Sequence, residues 1–354
     1  MEENKIKVLI VDDSAIVRAM IKEIMESDIR FTVVGIAENG EKAISQNEVL
    51  SPDLIVMDIN MPIMDGIEAT KEILKTSSPA IVAFTTEDTV RIGYTCIEAG
   101  ALEIIQKPNF STMTTEVLQE FCEKLALISE NHKKNSPTPL KSIEHENLNI
   151  EKSNNIKQNS QSSYTYDILL IGASTGGPAA IQTVLDGLGE NFPLPILITQ
   201  HIDAIFDEQF TKWLNDTTKV NVTLAKDGIT PEAGKAYVAP ANTHLVLKPG
   251  LKKGECIISL SDEPPLHFLK PAVDKLFFSA AEIFNEKAIA VLLTGMGKDG
   301  AEGLKAIFDH GGYTICEDES SCVVFGMPRA AIEAGAAKAV KNLSEIANFI
   351  KARL

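Results

Sequence analysis

Five side chains in the first third of the chain have types and positions suited to phosphoryl chemistry. Asp12 and Asp13 directly follow an apolar run at residues 7–11, and Asp58 follows a second run at 54–57. Thr85 follows a third run at 80–84, and Lys107, just before Pro108, follows a fourth at 103–106. In a parallel sheet such positions share the carboxyl edge, where ligands bind. Carboxylates gathered there repel one another unless a cation joins them, and hard oxygen donors with open positions suit Mg²⁺. A carboxylate beside that ion can accept a phosphoryl group. Thr85 would then offer a hydroxyl, and Lys107 a point charge, to the phosphoryl oxygens. One aspartate in a loop is most simply a solvated acid. Five residues repeating the same placement are not explained that way.

A second group lies beyond residue 165. Ser174 sits in Gly172-Ala-Ser-Thr-Gly176, the G-x-S-x-G pattern of a nucleophile on a tight strand-to-helix turn. Pro178 suits a first helical position, and a helix N-terminus there offers free N–H groups to a developing oxyanion. A glycine-rich turn of this kind also binds phosphate, so the motif alone leaves both readings open. A nucleophilic serine needs a base and a group to orient it. Of the six histidines, His132 and His145 fall in a polar segment, and His310 lies at a helix end. His267 follows two prolines, and His244 precedes a strand, toward the sheet's other edge. Only His201 directly follows a strand, at 196–199. Asp299 follows the run at 289–293. Ser174, His201 and Asp299 are therefore expected at the carboxyl ends of three strands, facing one crevice. Their order along the chain differs from that of α/β-hydrolases, which implies an independent triad.

The elements that must hold these residues divide the chain in two. Its 354 residues suggest two domains. Between Ser129 and Ser163, 16 of 35 residues are Asn, Ser or Gln. That composition cannot bury enough surface to offset its ordering entropy, so 129–164 reads as a flexible polar linker. A coil of that length spans roughly 30–35 Å. In residues 1–128, five apolar runs alternate with helical patterns such as Ile16, Met20, Ile21, Ile24 and Met25. This implies a five-stranded, doubly wound parallel sheet. In residues 165–354, runs at 167–171, 196–199 and 289–293 precede helical stripes, among them Ile181–Val184–Leu185–Leu188 and Val273–Leu276–Phe277–Ala280–Phe284. Runs at 236–239, 245–247 and 256–260 are expected to form a hairpin on the sheet edge.

Composition narrows the function. The net charge is −16, with −11 in residues 1–128, where 22 acids face 11 bases. An acidic surface repels nucleic acid and anionic lipid. The five scattered cysteines include no C-x-x-C pair, which suits reduced thiols in the cytoplasm. The N-terminal run is too short for a signal peptide, and no stretch of about 18 apolar residues is present, so no membrane insertion is expected.

The sequences VLIVDDS, MDINMPIMDG, Thr85 and Lys107-Pro108 resemble the receiver domain of bacterial response regulators over residues 5–128. The resemblance implies phosphorylation of Asp58 by a chemotaxis histidine kinase, with Mg²⁺ held by Asp12, Asp13, Asp58 and the Asn60 carbonyl. Members often carry an aromatic residue three positions before the lysine, where this chain has Ile104. GASTGGP, TQH, VAP, LLTGMGKDG and SCVVFGMPRAAI resemble the protein-glutamate methylesterases of bacterial chemotaxis, the CheB family, over 166–350. That resemblance implies a flavodoxin-like receiver, five-stranded and parallel, ahead of a doubly wound, mostly parallel α/β methylesterase domain. It implies hydrolysis of glutamate γ-methyl esters and deamidation of glutamines on methyl-accepting chemoreceptors. The catalytic residues would be Ser174, His201 and Asp299, with oxyanion donors at the backbone N–H of Thr175 and Met296 and no cofactor for this chemistry. The unphosphorylated receiver would cover the crevice. Two departures are Ile202-Asp203-Ala204, where the family often has Met-Pro-Pro, and Lys270-Pro-Ala-Val-Asp274, where it often has Arg-Pro-Ser-Val-Asp. The competing reading is a non-catalytic nucleotide-binding or adaptor module under receiver control, although G-x-G-x-x-G spacing is missing.

Overall fold

The computed structural model describes residues 5–86, 90–107, 114–135, 166–251 and 255–354. The N-terminal half carries strands β1 (Ile6–Val11), β2 (Phe31–Ala37), β3 (Leu54–Asp58), β4 (Ala80–Thr85) and β5 (Glu103–Gln106). They form one parallel sheet in the order β2-β1-β3-β4-β5. The central strands are buried on both faces, so their sequences are continuous apolar runs. Alternate residues feed two cores. Val8, Ile10, Val56 and Phe84 pack on one side with Ile21, Met25, Phe121 and Leu125. Leu9, Val11, Ile55 and Met57 pack on the other with Ala43, Ala69 and Ile73. Helices α1 (Ala15–Ser27), α2 (Gly40–Leu50) and α3 (Gly66–Thr76) start at Ser14, Asn39 and Asp65, whose side chains accept an N–H three residues on. α4 (Val90–Glu98) and α5 (Thr115–Asn135) complete the layer.

α5 corrects the expected linker boundary. It continues through Ser129 to Asn135. Ile128, Ser129 and Asn131 are buried, and the His132 ring lies 2.9 Å from the Ser78 carbonyl. The stripe Phe121–Cys122–Leu125–Ala126–Ile128 anchors the helix just upstream, and its last turns run on into the polar segment, where Ser129 and Asn131 are buried although neither is apolar. The remainder of the proposed linker, from residue 136, lies outside the described residues, as does His145.

The C-terminal half holds β6 (Ile168–Ala173), β7 (Ile196–Gln200), β8 (Asn221–Leu224), β9 (Lys235–Val238), β12 (Ala288–Leu292), β13 (Tyr313–Glu317) and β14 (Ala339–Lys341). These form a seven-stranded sheet in the order β14-β13-β12-β6-β7-β9-β8, parallel throughout. The chain runs outward one way from β6 to β8, then returns on the other side through β12, so a crevice opens beyond the carboxyl ends of β6, β7 and β12. α6 (Gly177–Leu188), α7 (Asp207–Thr217) and α11 (Leu343–Lys351) cover one face. α8 (Val273–Phe284), α9 (Ala301–Asp309) and α10 (Met327–Glu333) cover the other. The expected edge hairpin is corrected too. β10 (His244–Pro249) and β11 (Cys256–Ser261) pair antiparallel in a separate two-stranded sheet that packs on α8. β9 joins the main sheet instead, because Ala236, Tyr237 and Val238 are all buried and need cover on both faces.

The halves are docked together. Tyr94 on α4 stacks on Trp213 of α7, with ring centroids 5.2 Å apart, and Trp213 Nε1 donates to Glu98 Oε1 at 2.8 Å. Val323, Val324 and Met296 pack into the cluster that holds Phe84 and Phe121. Asn135 Nδ2 donates to the Glu319 carbonyl at 2.9 Å.

One buried carboxyl closes the end of β13. Glu317 Oε2 accepts the Thr294 N–H at 2.8 Å and Oε1 accepts the Ser321 hydroxyl at 3.0 Å. Burial pushes this carboxyl up to about 7, despite these two donors and the Cys322 thiol. A carboxyl raised in the folded state holds a proton that the unfolded chain has released, so its contribution is full below about pH 4 and is lost as pH rises to about 7. Glu317→Gln keeps the acceptor and removes the charge. We expect its thermal midpoint to exceed that of the wild type by several degrees at about pH 8 and the advantage to vanish near pH 4. A constant difference across that range, read by circular dichroism melts, would reject this account.

Candidate active site

Ser174 stands one residue past β6, half-buried, with its backbone tied on both sides. Its N–H donates to the Thr294 carbonyl at 3.0 Å, and its carbonyl accepts Gly177 N–H and Gln200 Nε2, each at 2.8 Å. The turn needs glycine. Gly176 has φ +76°, and a Cβ there would lie 2.5 Å from Val323 Cβ. A Cβ on Gly177 would meet Gln200 Oε1 at 1.9 Å. The backbone N–H groups of Thr175 and Met296 donate to no acceptor among the described residues.

His201 follows β7, with its N–H on the Ala173 carbonyl at 3.1 Å. Gln200 Nε2 also reaches the His201 carbonyl at 3.1 Å, so one amide fixes both the serine and histidine loops. The imidazole Nε2 lies 2.7 Å from Asp299 Oδ2. That leaves Nδ1 as the ring atom available to a serine. No hydrogen bond joins Ser174 Oγ to His201 among the described residues. Such bonds are often long without substrate and tighten in the complex.

Asp299 follows β12 and is 1% exposed. Oδ2 also accepts Val273 N–H at 2.6 Å, and Oδ1 accepts Asp274 N–H at 3.1 Å. Burial alone would raise this carboxyl. The His201 ring and the two N–H groups at the start of α8 outweigh it and hold the group below the usual carboxylate range. His244 supports the same helix start. It is fully buried, its Nδ1 accepts the Ala272 N–H at 3.2 Å, and its ring is not at the far sheet edge as expected.

The loop after β12 closes the other side. Thr294 Oγ1 donates to the Thr175 carbonyl at 2.9 Å, and a Cβ on Gly295 would lie 2.8 Å from Ser174 Cβ. Across the crevice, Glu103 Oε2 of β5 accepts the Gly176 N–H at 2.8 Å. Glu103, Ile104, Lys124, Gln200 and His201 line a cavity of about 110 Å³ between the halves. Ile104 is thus part of the docking face. Sequence reading missed Gln200, Thr294, Glu103 and the α8 N–H pair. Only Val273-Asp274, at the head of a helical stripe, gave a usable signal.

The acidic cluster also assembles. Asp12, Asp13 and Asp58 bring carboxylate oxygens within 4.8 Å of one another. Lys107 Nζ lies 2.7 Å from Asp12 Oδ2 and 2.9 Å from Asp58 Oδ2. Burial raises the Asp58 carboxyl, and the lysine only partly offsets it. The Asn60 N–H points at Asp58 Oδ1, 3.4 Å away, and Thr85 is fully buried beside them. Three oxygen-bearing acids with a single cation suit a further hard cation.

Comparison with known proteins matches both halves. The family profile described as CheB methylesterase matches residues 169–350, and that of the response regulator receiver domain matches residues 8–118. Protein-glutamate methylesterase/protein-glutamine glutaminase of Halalkalibacterium halodurans is 39% identical, covering 98% of each chain. The Clostridium acetobutylicum protein of the same name is 35% identical over 98% of this chain and 97% of its own. The crystal structure of the Thermotoga maritima CheB methylesterase catalytic domain is 38% identical, with a TM-score of 0.52 over 54% of this chain and all of that one. The chain therefore belongs to the CheB methylesterase family, with a response regulator receiver domain ahead of its catalytic domain.

Proposed function

We propose that this chain hydrolyses glutamate γ-methyl esters, and deamidates glutamines, on methyl-accepting chemoreceptors under control of its receiver. The observation that carries the chemistry is the 2.7 Å bond between His201 and Asp299, at strand ends adjoining that of Ser174. Ser174 Oγ attacks the ester carbonyl while His201 Nδ1 takes its proton. Asp299 on Nε2 fixes the ring and stabilises the imidazolium. The N–H groups of Thr175 and Met296 receive the oxyanion. Collapse breaks the acyl–OCH₃ bond, and His201 returns the proton to the departing methanol. A water, deprotonated by His201, then releases a glutamate carboxyl and regenerates the serine. With a glutamine substrate the leaving group is ammonia. A non-catalytic nucleotide-binding or adaptor module is not favoured, because the matched relatives are named as hydrolases.

In the receiver, Asp58 is the proposed acceptor of a phosphoryl group from a histidine kinase. Thr85 and Lys107 hold the transferred oxygens. Asp12, Asp13, Asp58 and the Asn60 carbonyl would hold Mg²⁺, which when bound neutralises charge on the transferring group. A cytoplasmic location is proposed with them, since substrates and a phosphodonor of this kind imply it. No helix among the described residues is long and apolar enough to cross a membrane. The docked receiver covers the His201 side of the crevice, so phosphorylation acts by loosening that face.

Two outcomes test this. Ser174→Ala should reduce methanol release from methylated receptors at least about 10³-fold; unchanged release would refute the assignment. Trp213, the chain's single tryptophan, is stacked on the receiver. Acetyl phosphate with Mg²⁺ should shift its emission to the red in the wild type and leave Asp58→Asn unchanged. A wild type that gains activity with no change in emission would contradict loosening at this contact.

A further inference from the structure

A carboxyl that the triad chemistry leaves unused lies against Asp299. Asp274, on the first turn of α8, is 1% exposed. Its Oδ1 accepts the Gly303 N–H at 2.6 Å. Its Oδ2 is fully buried and has no hydrogen-bond donor among the described residues. The neighbouring Asp299 oxygens already accept three N–H groups, from His201, Val273 and Asp274 itself. Lysines near the site are engaged elsewhere, Lys270 with Asp262 and Lys275 with Glu263. The other titratable groups facing Asp274 are His267 and Glu302, both exposed, each with a ligand-type atom within 4.8 Å of it.

Two buried carboxyls in contact cannot both carry charge without a partner for each. Asp299 has its partners. An Asp274 oxygen without a donor is satisfied if that oxygen itself carries the proton and donates. We propose that Asp274 is a positioning residue for the triad, a neutral carboxylic acid whose proton is directed at Asp299 and fixes that carboxylate against His201. This rests on the reading of Asp299 as the triad acid. Burial and the Asp299 carboxyl push the Asp274 carboxyl up to about 7 against the opposing pull of the Gly303 and Gly300 N–H groups, in keeping with a group that stays protonated below neutrality. Once it ionises, two adjacent carboxylates repel and the Asp299–His201 contact loosens.

The test uses the full chain, activated with acetyl phosphate and Mg²⁺, on methylated receptors. Asp274→Asn keeps an acceptor for Gly303 and a neutral donor for Asp299. It should hold kcat within about threefold of the wild type near pH 6. The ratio of variant to wild-type kcat should then rise at least about threefold by pH 8.5, because only the wild type acquires the second charge. Asp274→Ala, lacking the donor, should lose more than about tenfold in kcat at both pH values with KM little changed. A pH-independent ratio for Asp274→Asn, or a loss equal to that of Asp274→Ala, would overturn the proposal. Asp299→Asn is the control. If it retains activity, the triad reading fails rather than this one. A second readout needs no change at Asp274. In Asp58→Asn protein carrying carboxyl-labelled aspartate, one buried carboxyl resonance should titrate near neutrality. If every buried aspartate has ionised below about pH 5, Asp274 is not the neutral acid.

Discussion

A charged carboxylate with almost no access to water must be surrounded by donors, and Asp299 sets that requirement for the whole catalytic half. Its donors come from two places far apart in sequence. One is the His201 ring at the end of β7, and the other is the pair of N–H groups that opens α8. Meeting both demands that β12 and β7 flank β6, and that α8 begin directly above the loop following β12. The parallel sheet, its order reversal beside β6 and the buried His244 under Ala272 all serve that placement. Ser174 then stands between the two loops, tied to Thr294 on one side and to Gln200 on the other. An imidazole held through Nε2 leaves only Nδ1 free, so the donor set around Asp299 also decides which ring nitrogen the proposed mechanism uses.

The same edge is where the receiver docks. Both halves are acidic, so long-range charge opposes their association. What holds them is short-range, namely the Tyr94–Trp213 stack, the apolar contact of Val323 and Val324 with the receiver core, and the Glu103 carboxylate on the Gly176 N–H. The last of these places an acid on the N-terminus of α6, the helix that follows the Ser174 turn, where the helix dipole favours it. This interface brings Glu103 and Ile104 into the cavity that His201 lines. β4 and β5 link the two regions, since the strands that end beside Asp58 also present Glu103 and Ile104 to the catalytic half.

Much of this was legible in the sequence. Strands buried on both faces, β1, β3, β4, β6, β7 and β12, read as unbroken apolar runs and are legible within a residue or two, and the edge strands β2 and β5, though half-buried, keep enough apolar residues to be legible as well. The acids, serine, histidine and aspartate at their ends followed from the rule that ligands gather at carboxyl edges. The outer strands β8 and β14 did not announce themselves, because three or four half-exposed residues carry little pattern, and β13, though buried, interleaves Thr314 and Glu317 with its apolar residues. α5 was cut short because its last turns run into the polar segment, where the buried Ser129 and Asn131 are not apolar. The hairpin was placed on the wrong partner because apolar runs show burial but not against what. Gln200 and Thr294 act through side-chain bonds to loop carbonyls that only the fold brings near, and Val273 and Asp274 through backbone N–H groups, neither of which residue type alone encodes.

The central claim is that Ser174 is made nucleophilic by His201 at this sheet edge. Mass-mapped reaction of the activated full chain with a serine-directed fluorophosphonate tests it most directly. The account predicts a single adduct on Ser174 that forms at least about a hundredfold more slowly in His201→Gln. An adduct on another residue, or an equal rate without the imidazole, would contradict it.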